Sequence, residues 1–273
     1  MPKGILESML RGEGVIEPHV QPMYRLNDNR LMAKEYLARH LDEAGVAHPV
    51  GPLLQDPSLC LEDRLALDLR FLESTFQTLA RTGHDTYLHF VNLEPVSLEA
   101  PGFWDCLPRW LEALPFNPGC VVMEFTESQG VHDLEVLQGY ANRLRGLGLR
   151  VAVDDLGAGV ASLTHMARLA PDFIKADRSL VEQVHRRPYQ AALLNALAHF
   201  AERMRIGFIA EGIETLEELQ AVMDADVPWG QGYILGQPWP TQPRPIIGDR
   251  SLSESLECPA RIPGHAPNAA SES

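Results

Sequence analysis

A TIM-type (β/α)8 barrel in a single domain is the fold this sequence predicts, on three observations. Strand-length apolar runs alternate with stretches of helical periodicity through the middle of the chain. The runs are nearly continuous in apolar residues, as expected of strands covered on both faces. The length, 273 residues, suits a closed barrel and accommodates more repeats than a small open sheet. Such repeated alternation implies parallel strands joined by crossover helices.

The elements follow in order. Residues 1–16 read as a lead-in in which Ile5, Leu6, Met9 and Leu10 share one helix face, with a disordered stub as the alternative. RLMAKEYLARH (30–40) is strand-like and holds Glu35. Helical spacing appears at Leu65, Leu69, Leu72, Phe76 and Leu79. It returns at Leu134, Leu137, Ala141 and Leu144, at Leu194, Leu197, Ala201 and Met204, and at Leu216, Leu219 and Val222. The strand runs are TYLHFVN (86–92), CVVMEFT (120–126), RVAVDD (150–155), DFIKAD (172–177) and IGFIAE (206–211), with VPWGQGYILG (227–236) after them. From 247 the chain turns rich in Ser, Pro and Ala and reads as a flexible tail, so the domain spans 17–246.

Composition excludes several classes. With 45% hydrophobic and 22% charged residues the chain is globular rather than disordered. Its 23 basic and 37 acidic residues leave a net charge of −14, which argues against a nucleic-acid polymer or an anionic membrane as partner. A small anionic ligand stays possible, because bound divalent cations invert the local field. No apolar run is long enough to span a membrane. The N-terminus carries Glu7 and Arg11 where a signal peptide needs an apolar core. The four cysteines show no CxxC spacing, so no zinc site or redox pair is suggested and a cytoplasmic location is expected.

Every apolar run carries a polar residue near its end: Asn92, Glu124, Asp154 with Asp155, Lys175, Glu211 and, after the last run, Gln231. Glu35 adds another acid. In a barrel the C-terminal strand ends open on one face, so these residues converge. Singly, each acid reads more plainly as a helix cap or surface ion pair. Together they place five carboxylates around one lysine, and they cannot all ionise without compensation. Hard divalent cations supply it, and they take carboxylate and amide oxygens. The set therefore reads as a one- or two-metal site suited to phosphoryl hydrolysis. His40, beside Arg39, reads as a surface residue, and Phe173 as core.

At this point the sequence resembles the EAL domains, the family of cyclic di-GMP phosphodiesterases. The signature appears as Glu35-Tyr36-Leu37, preceded by Gln21-Pro22-Met23. Further matches are Val91-Asn92-Leu93, Glu124-Phe125-Thr126-Glu127, Asp154-Asp155-Leu156-Gly157-Ala158-Gly159, Phe173-Ile174-Lys175-Ala176-Asp177, Ala210-Glu211-Gly212-Ile213-Glu214-Thr215 and Gln231-Gly232-Tyr233. The resemblance implies a barrel with an irregular first strand, and hydrolysis of cyclic di-GMP to linear pGpG with Mg2+ or Mn2+, two per site. It implies metal ligands at Glu35, Asn92, Glu124, Asp154, Asp155, Glu211 and Gln231, with Lys175 and Glu211 as the catalytic pair. It also implies substrate contacts from Gln21, Leu37, Arg39, Asp177 and Tyr233, and loop anchors at Glu127 and Glu214. A homodimer and a regulatory protein partner are expected with it. A catalytically weak or inactive domain that acts as a cyclic di-GMP receptor or a protein-interaction module is the alternative. Tyr36, Leu156, Ala158 and the 51–64 segment depart from the family pattern. Tyr36 is expected on the strand face opposite Glu35, to pack outside the barrel or to narrow the pocket.

Overall fold

The computed structural model describes residues 6, 9, 10, 15–42, 45–54, 56, 59–84, 86–126, 134–157 and 169–241. In chain order its strands are β1 (Val15–Arg25), β2 (Arg30–Leu41), β3 (Ala47–Pro49), β4 (Leu88–Leu93) and β5 (Val121–Thr126). They continue with β6 (Arg150–Leu156), β7 (Phe173–Ala176), β8 (Gly207–Ala210), β9 (Trp229–Gly230) and β10 (Trp239–Pro240). β1, β2 and β4 to β9 close into an eight-stranded barrel, sealed where β1 pairs with both β2 and β9. From β2 round to β9 each pair is parallel. β1 runs against both its neighbours, so the parallel pattern holds for every barrel strand but the first, the strand that the family resemblance implies to be irregular. The cause is the connection. Only a short turn joins β1 to β2, and its Asn29 takes the left-handed conformation at φ 54°. A turn that short can join only antiparallel strands. The Arg25 guanidinium grips Asp28 across it.

Outside the barrel lie α1 (Leu61–Thr82), α2 (Pro101–Glu112), α3 (Leu134–Gly146), α4 (Pro188–Met204) and α5 (Leu216–Asp224). The periodicity analysis does not find α2. Pro108 sits inside that helix and interrupts its ladder, yet Phe103, Leu107 and Leu111 still make a buried stripe at four-residue spacing. The lead-in contributes Met9, fully buried with Val50, Leu54, Leu59, Leu67 and Phe71. The divergent 51–64 segment thus lends apolar residues to a small core under α1. The segments 127–133, 158–168 and 242–273 lie outside the described residues, and with them Glu127, Ala158 and the tail.

The strand pleat explains both the core and the site. Met23, Ala33, Leu88, Phe90, Val122, Ala152, Phe173 and Ile209 point inward and fill the barrel. Their neighbours Val91, Val121, Met123, Val151 and Val153 point outward under the helices. Successive side chains alternate faces. One pleat past an inner residue therefore faces inward again, nearer the mouth. Glu35 stands two residues beyond Ala33, Asn92 beyond Phe90, Glu124 beyond Val122, Asp154 beyond Ala152, Lys175 beyond Phe173 and Glu211 beyond Ile209. Tyr36 accordingly points outward, into the core cluster with Phe76 and Val91. Its hydroxyl lies 3.2 Å from Nδ1 of His89, whose Nε2 lies 2.7 Å from the His84 carbonyl. It does not narrow the pocket.

Asp68 on α1 is a buried acid that sequence reasoning missed. It accepts a 2.5 Å hydrogen bond from the Ser97 hydroxyl, and burial raises its pKa to about 7. Because its folded pKa lies above the unfolded value of 3.8, the native state holds the proton longer. Stability should therefore fall as pH rises from about 4 to 7, by on the order of 4 kcal/mol at about 1.4 kcal/mol per pKa unit. Asp68→Asn should flatten that slope. Urea unfolding from pH 4 to 8 with the same slope in the variant would dismiss Asp68 as its cause.

Candidate active site

The inward residues meet around the ammonium of Lys175, which is 1% exposed. Its Nζ lies 2.5 Å from Glu211 Oε1, 2.9 Å from Glu124 Oε1, 3.5 Å from Asp154 Oδ1 and 3.7 Å from Glu35 Oε1. Glu35 is oriented by amides. Asn92 Nδ2 donates to its Oε1 at 2.9 Å, and Gln231 Nε2 to its Oε2 at 2.5 Å. Gln231 Nε2 also reaches Gln21 Oε1 at 3.2 Å. Gln21 faces Glu35 in the β1–β2 register and donates to the Gly236 carbonyl at 3.1 Å.

Two local devices aim the remaining groups. Asp154 and Asp155 are consecutive, so a regular strand would send them to opposite faces. The β6–β7 register shifts between Val153 and Leu156, and Asp155 is left-handed at φ 61°, a region that Asp tolerates better than most residues. This bulge re-aims the strand, and ligand atoms of Asp154, Asp155 and Glu211 come within 4.8 Å of one another. Gln231 is set by its backbone, which donates to the Ala210 carbonyl at 2.8 Å and accepts from Ile213 N at 3.1 Å. Gly232 follows because a Cβ there would lie 2.1 Å from the Ile213 carbonyl oxygen.

The electrostatics follow from burial. Desolvation, joined by the neighbouring carboxylates, drives the pKa values of Glu124 and Glu211 well above the usual range despite Lys175. Burial and Asp154 push Asp155 up to about 6. Burial also opposes ionisation of Glu35, but Lys175, Asn92 and Gln231 outweigh it and hold that carboxyl low. For Lys175 burial favours the neutral amine, while Asp154, Glu124, Glu211 and Glu35 together hold its pKa well above normal.

A divalent cation fits this arrangement. Oε2 of Glu124 and Oε1 of Gln231 are buried without a hydrogen bond, while Oε1 of Glu124 meets the Lys175 ammonium at 2.9 Å. Orphaned buried oxygens are rare and point to a missing partner. The donors around them are carboxylates and amides, the ligand type of Mg2+ and Mn2+.

Not every expected residue joins this centre. A cavity of about 300 Å3 opens on it, lined among others by Gln21, Glu35, Asp154, Lys175, Asp177, Glu211, Gln231 and Tyr233. Tyr233 is more than half exposed. Asp177 spends its carboxylate on capping Ser179 N at 2.8 Å. Leu37 and Arg39 continue the Glu35 face outward but do not line the cavity, and Arg39 Nη1 donates to the Ala38 carbonyl. Glu214 is held by Arg178, and the loop it was expected to anchor falls largely in 158–168, outside the described residues. His40 corrects the surface assignment. It is 3% exposed, because β3 pairs over it through His48. Sequence reasoning also missed Arg178 and Glu218. The capping box of Thr215 and Glu218 is legible as Thr-x-x-Glu ahead of an apolar run.

A profile described as the EAL domain matches residues 5–238. The chain belongs to the EAL-domain family. RocR, a cyclic di-GMP phosphodiesterase of Pseudomonas aeruginosa, is 29% identical to this EAL domain over 236 residues, 84% of this chain and 59% of RocR. A probable cyclic di-GMP phosphodiesterase of Escherichia coli, PdeN, is 29% identical over 55% of this chain and 29% of its own length. The chain thus spans less than two thirds of the length of these relatives. BlrP1 of Klebsiella pneumoniae, solved with calcium and cyclic di-GMP, superposes with a TM-score of 0.75 at 26% identity, over 83% of this chain and 56% of that one. Its manganese complex with cyclic di-GMP at pH 6 gives 0.74 at 27%, with the same coverage. Among the described residues no helix is long and apolar enough to cross a membrane.

Proposed function

We propose that this EAL domain opens one phosphodiester of cyclic di-GMP to linear pGpG, with Mg2+ or Mn2+ at two positions in the barrel mouth. The observation that carries this reading is the ring of four carboxylates on one buried lysine, with Glu124 Oε2 and Gln231 Oε1 left without a hydrogen bond. The metal-bound complexes of BlrP1 with cyclic di-GMP support it. Glu35, Asn92, Glu124 and Asp154 would hold one metal, and Asp154, Asp155, Glu211 and Gln231 the other. When bound, such metals lower the pKa of water and neutralise charge on phosphoryl oxygens.

The chain's own residues do the rest. Lys175 orients Glu211 through its 2.5 Å contact and stabilises charge that develops on the phosphate. A Glu211 oxygen takes the proton of the attacking water. Gln21, Asp177 and Tyr233 in the cavity bind the nucleotide together with Leu37 and Arg39 on the strand face beyond it, Arg39 gripping a phosphate. The unit extends over 17–246, with Glu127 and Glu214 steadying the loop after the aspartates. It works in the cytoplasm as a homodimer, open to a regulatory protein partner.

The test is chromatography of pGpG from purified protein with cyclic di-GMP and Mg2+ or Mn2+. Product is expected with metal and none with EDTA. Binding by calorimetry without product under the same conditions would overturn the hydrolase reading in favour of a receptor.

A further inference from the structure

We propose that Arg178 is a positioning residue that clamps the Glu211–Glu214 turn to the end of β7 and so holds the Glu211 carboxylate in the metal site. Arg178 follows the strand that carries Lys175, whereas Glu211 to Glu214 follow β8. The β7–β8 pairing ends at Ala176 and Ala210, and past it one backbone bond, Glu211 N to the Ala176 carbonyl, joins the two chain segments before they diverge. Arg178 bridges the gap. Its Nη1 donates to the Gly212 carbonyl at 2.8 Å, and its two terminal nitrogens take both oxygens of Glu214 at 2.5 and 2.8 Å. A forked pair of this kind fixes geometry as well as charge.

The turn is shaped around that side chain. Gly212 sits at φ +65°, and a Cβ there would lie 2.8 Å from Cβ and Cγ of Arg178. From the other side Glu218 braces the same turn, accepting from Glu214 N at 3.0 Å and from Gln183 N at 2.9 Å. Arg178 lines the cavity, so a direct phosphate contact is the competing role. Its fork is already committed to Glu214 and Gly212, which favours the clamp. The proposal rests on the hydrolase reading only for its kinetic arm.

The test compares Arg178→Ala, Arg178→Lys, Glu214→Ala and the double variant Arg178→Ala/Glu214→Ala, with thermal midpoints as a check on folding. Arg178→Ala should lower kcat for pGpG release about 10- to 100-fold with little change in KM. It should also weaken Mn2+ binding about tenfold by calorimetry without nucleotide, the usual loss when support behind a metal ligand goes. Arg178→Lys keeps the charge but not the fork, and should recover little of either. Glu214→Ala should reproduce both losses, and the double variant should be no worse than either single one. A raised KM with kcat and Mn2+ affinity unchanged would overturn the clamp in favour of a phosphate contact. If Arg178→Ala does not fold, Glu214→Gln carries the same comparison. A wild type that binds Mn2+ but releases no pGpG sinks the hydrolase reading and leaves the Mn2+ arm to decide the clamp. A wild type that binds no Mn2+ overturns both.

Discussion

Replacing Lys175 by methionine should destabilise the metal-free protein by about 3–5 kcal/mol, the usual loss when one partner of a buried ion pair is removed. Methionine nearly matches the volume of the side chain, so the loss is electrostatic rather than a cavity effect. Four carboxylates within 3.7 Å of Nζ would lose their shared cation. Three of them, Glu35, Glu124 and Asp154, are less than a tenth exposed, so water screens them poorly. The loss should shrink towards pH 5, where the acids accept protons instead. It should also shrink when Mn2+ is added, because the carboxylate cluster without its lysine binds a cation more tightly than the wild type does, and an ion that binds only the folded state stabilises it by mass action. Urea unfolding in EDTA, with and without excess Mn2+, reads both effects. A variant as stable as wild type in EDTA would show that Lys175 does not neutralise the cluster.

Glu124→Gln should move stability and activity in opposite directions. Glu124 is fully buried, and its ionised form is disfavoured by desolvation and by three neighbouring acids. A neutral amide of the same shape removes that conflict, while Lys175 keeps Glu211, Asp154 and Glu35. Metal-free stability at neutral pH should rise by roughly 1–2 kcal/mol, within the range of single stabilising changes. Turnover should fall by more than about 100-fold, beyond the loss from removing an outer support of a metal ligand. Sites built for chemistry commonly trade stability for function in this way. Thermal midpoints in EDTA and pGpG release with Mn2+ measure the two sides. Undiminished turnover would remove Glu124 from the proposed metal ligands.

How much of this was legible beforehand depends on the range over which each feature is decided. Strand periodicity is local, so the barrel and its polar mouth could be read in one dimension. An acid, amide or lysine stands two residues beyond each of Ala33, Phe90, Val122, Ala152, Phe173 and Ile209. The outward packing of Tyr36 followed from the same alternation. α2 was hidden because its prolines mask a pattern that packing nonetheless realises.

Which residues face the mouth follows from neighbouring positions alone, because pleat and apolar run are both local. Which of them touch is fixed by the assembled barrel. The bulge in β6 lets two consecutive aspartates serve one site, and Arg178 meets Glu214 across 36 residues of chain. Asp68 meets Ser97 across 29 residues of chain. Register and burial are set by long-range pairing, and no local pattern encodes which strands become neighbours or how far each is shifted.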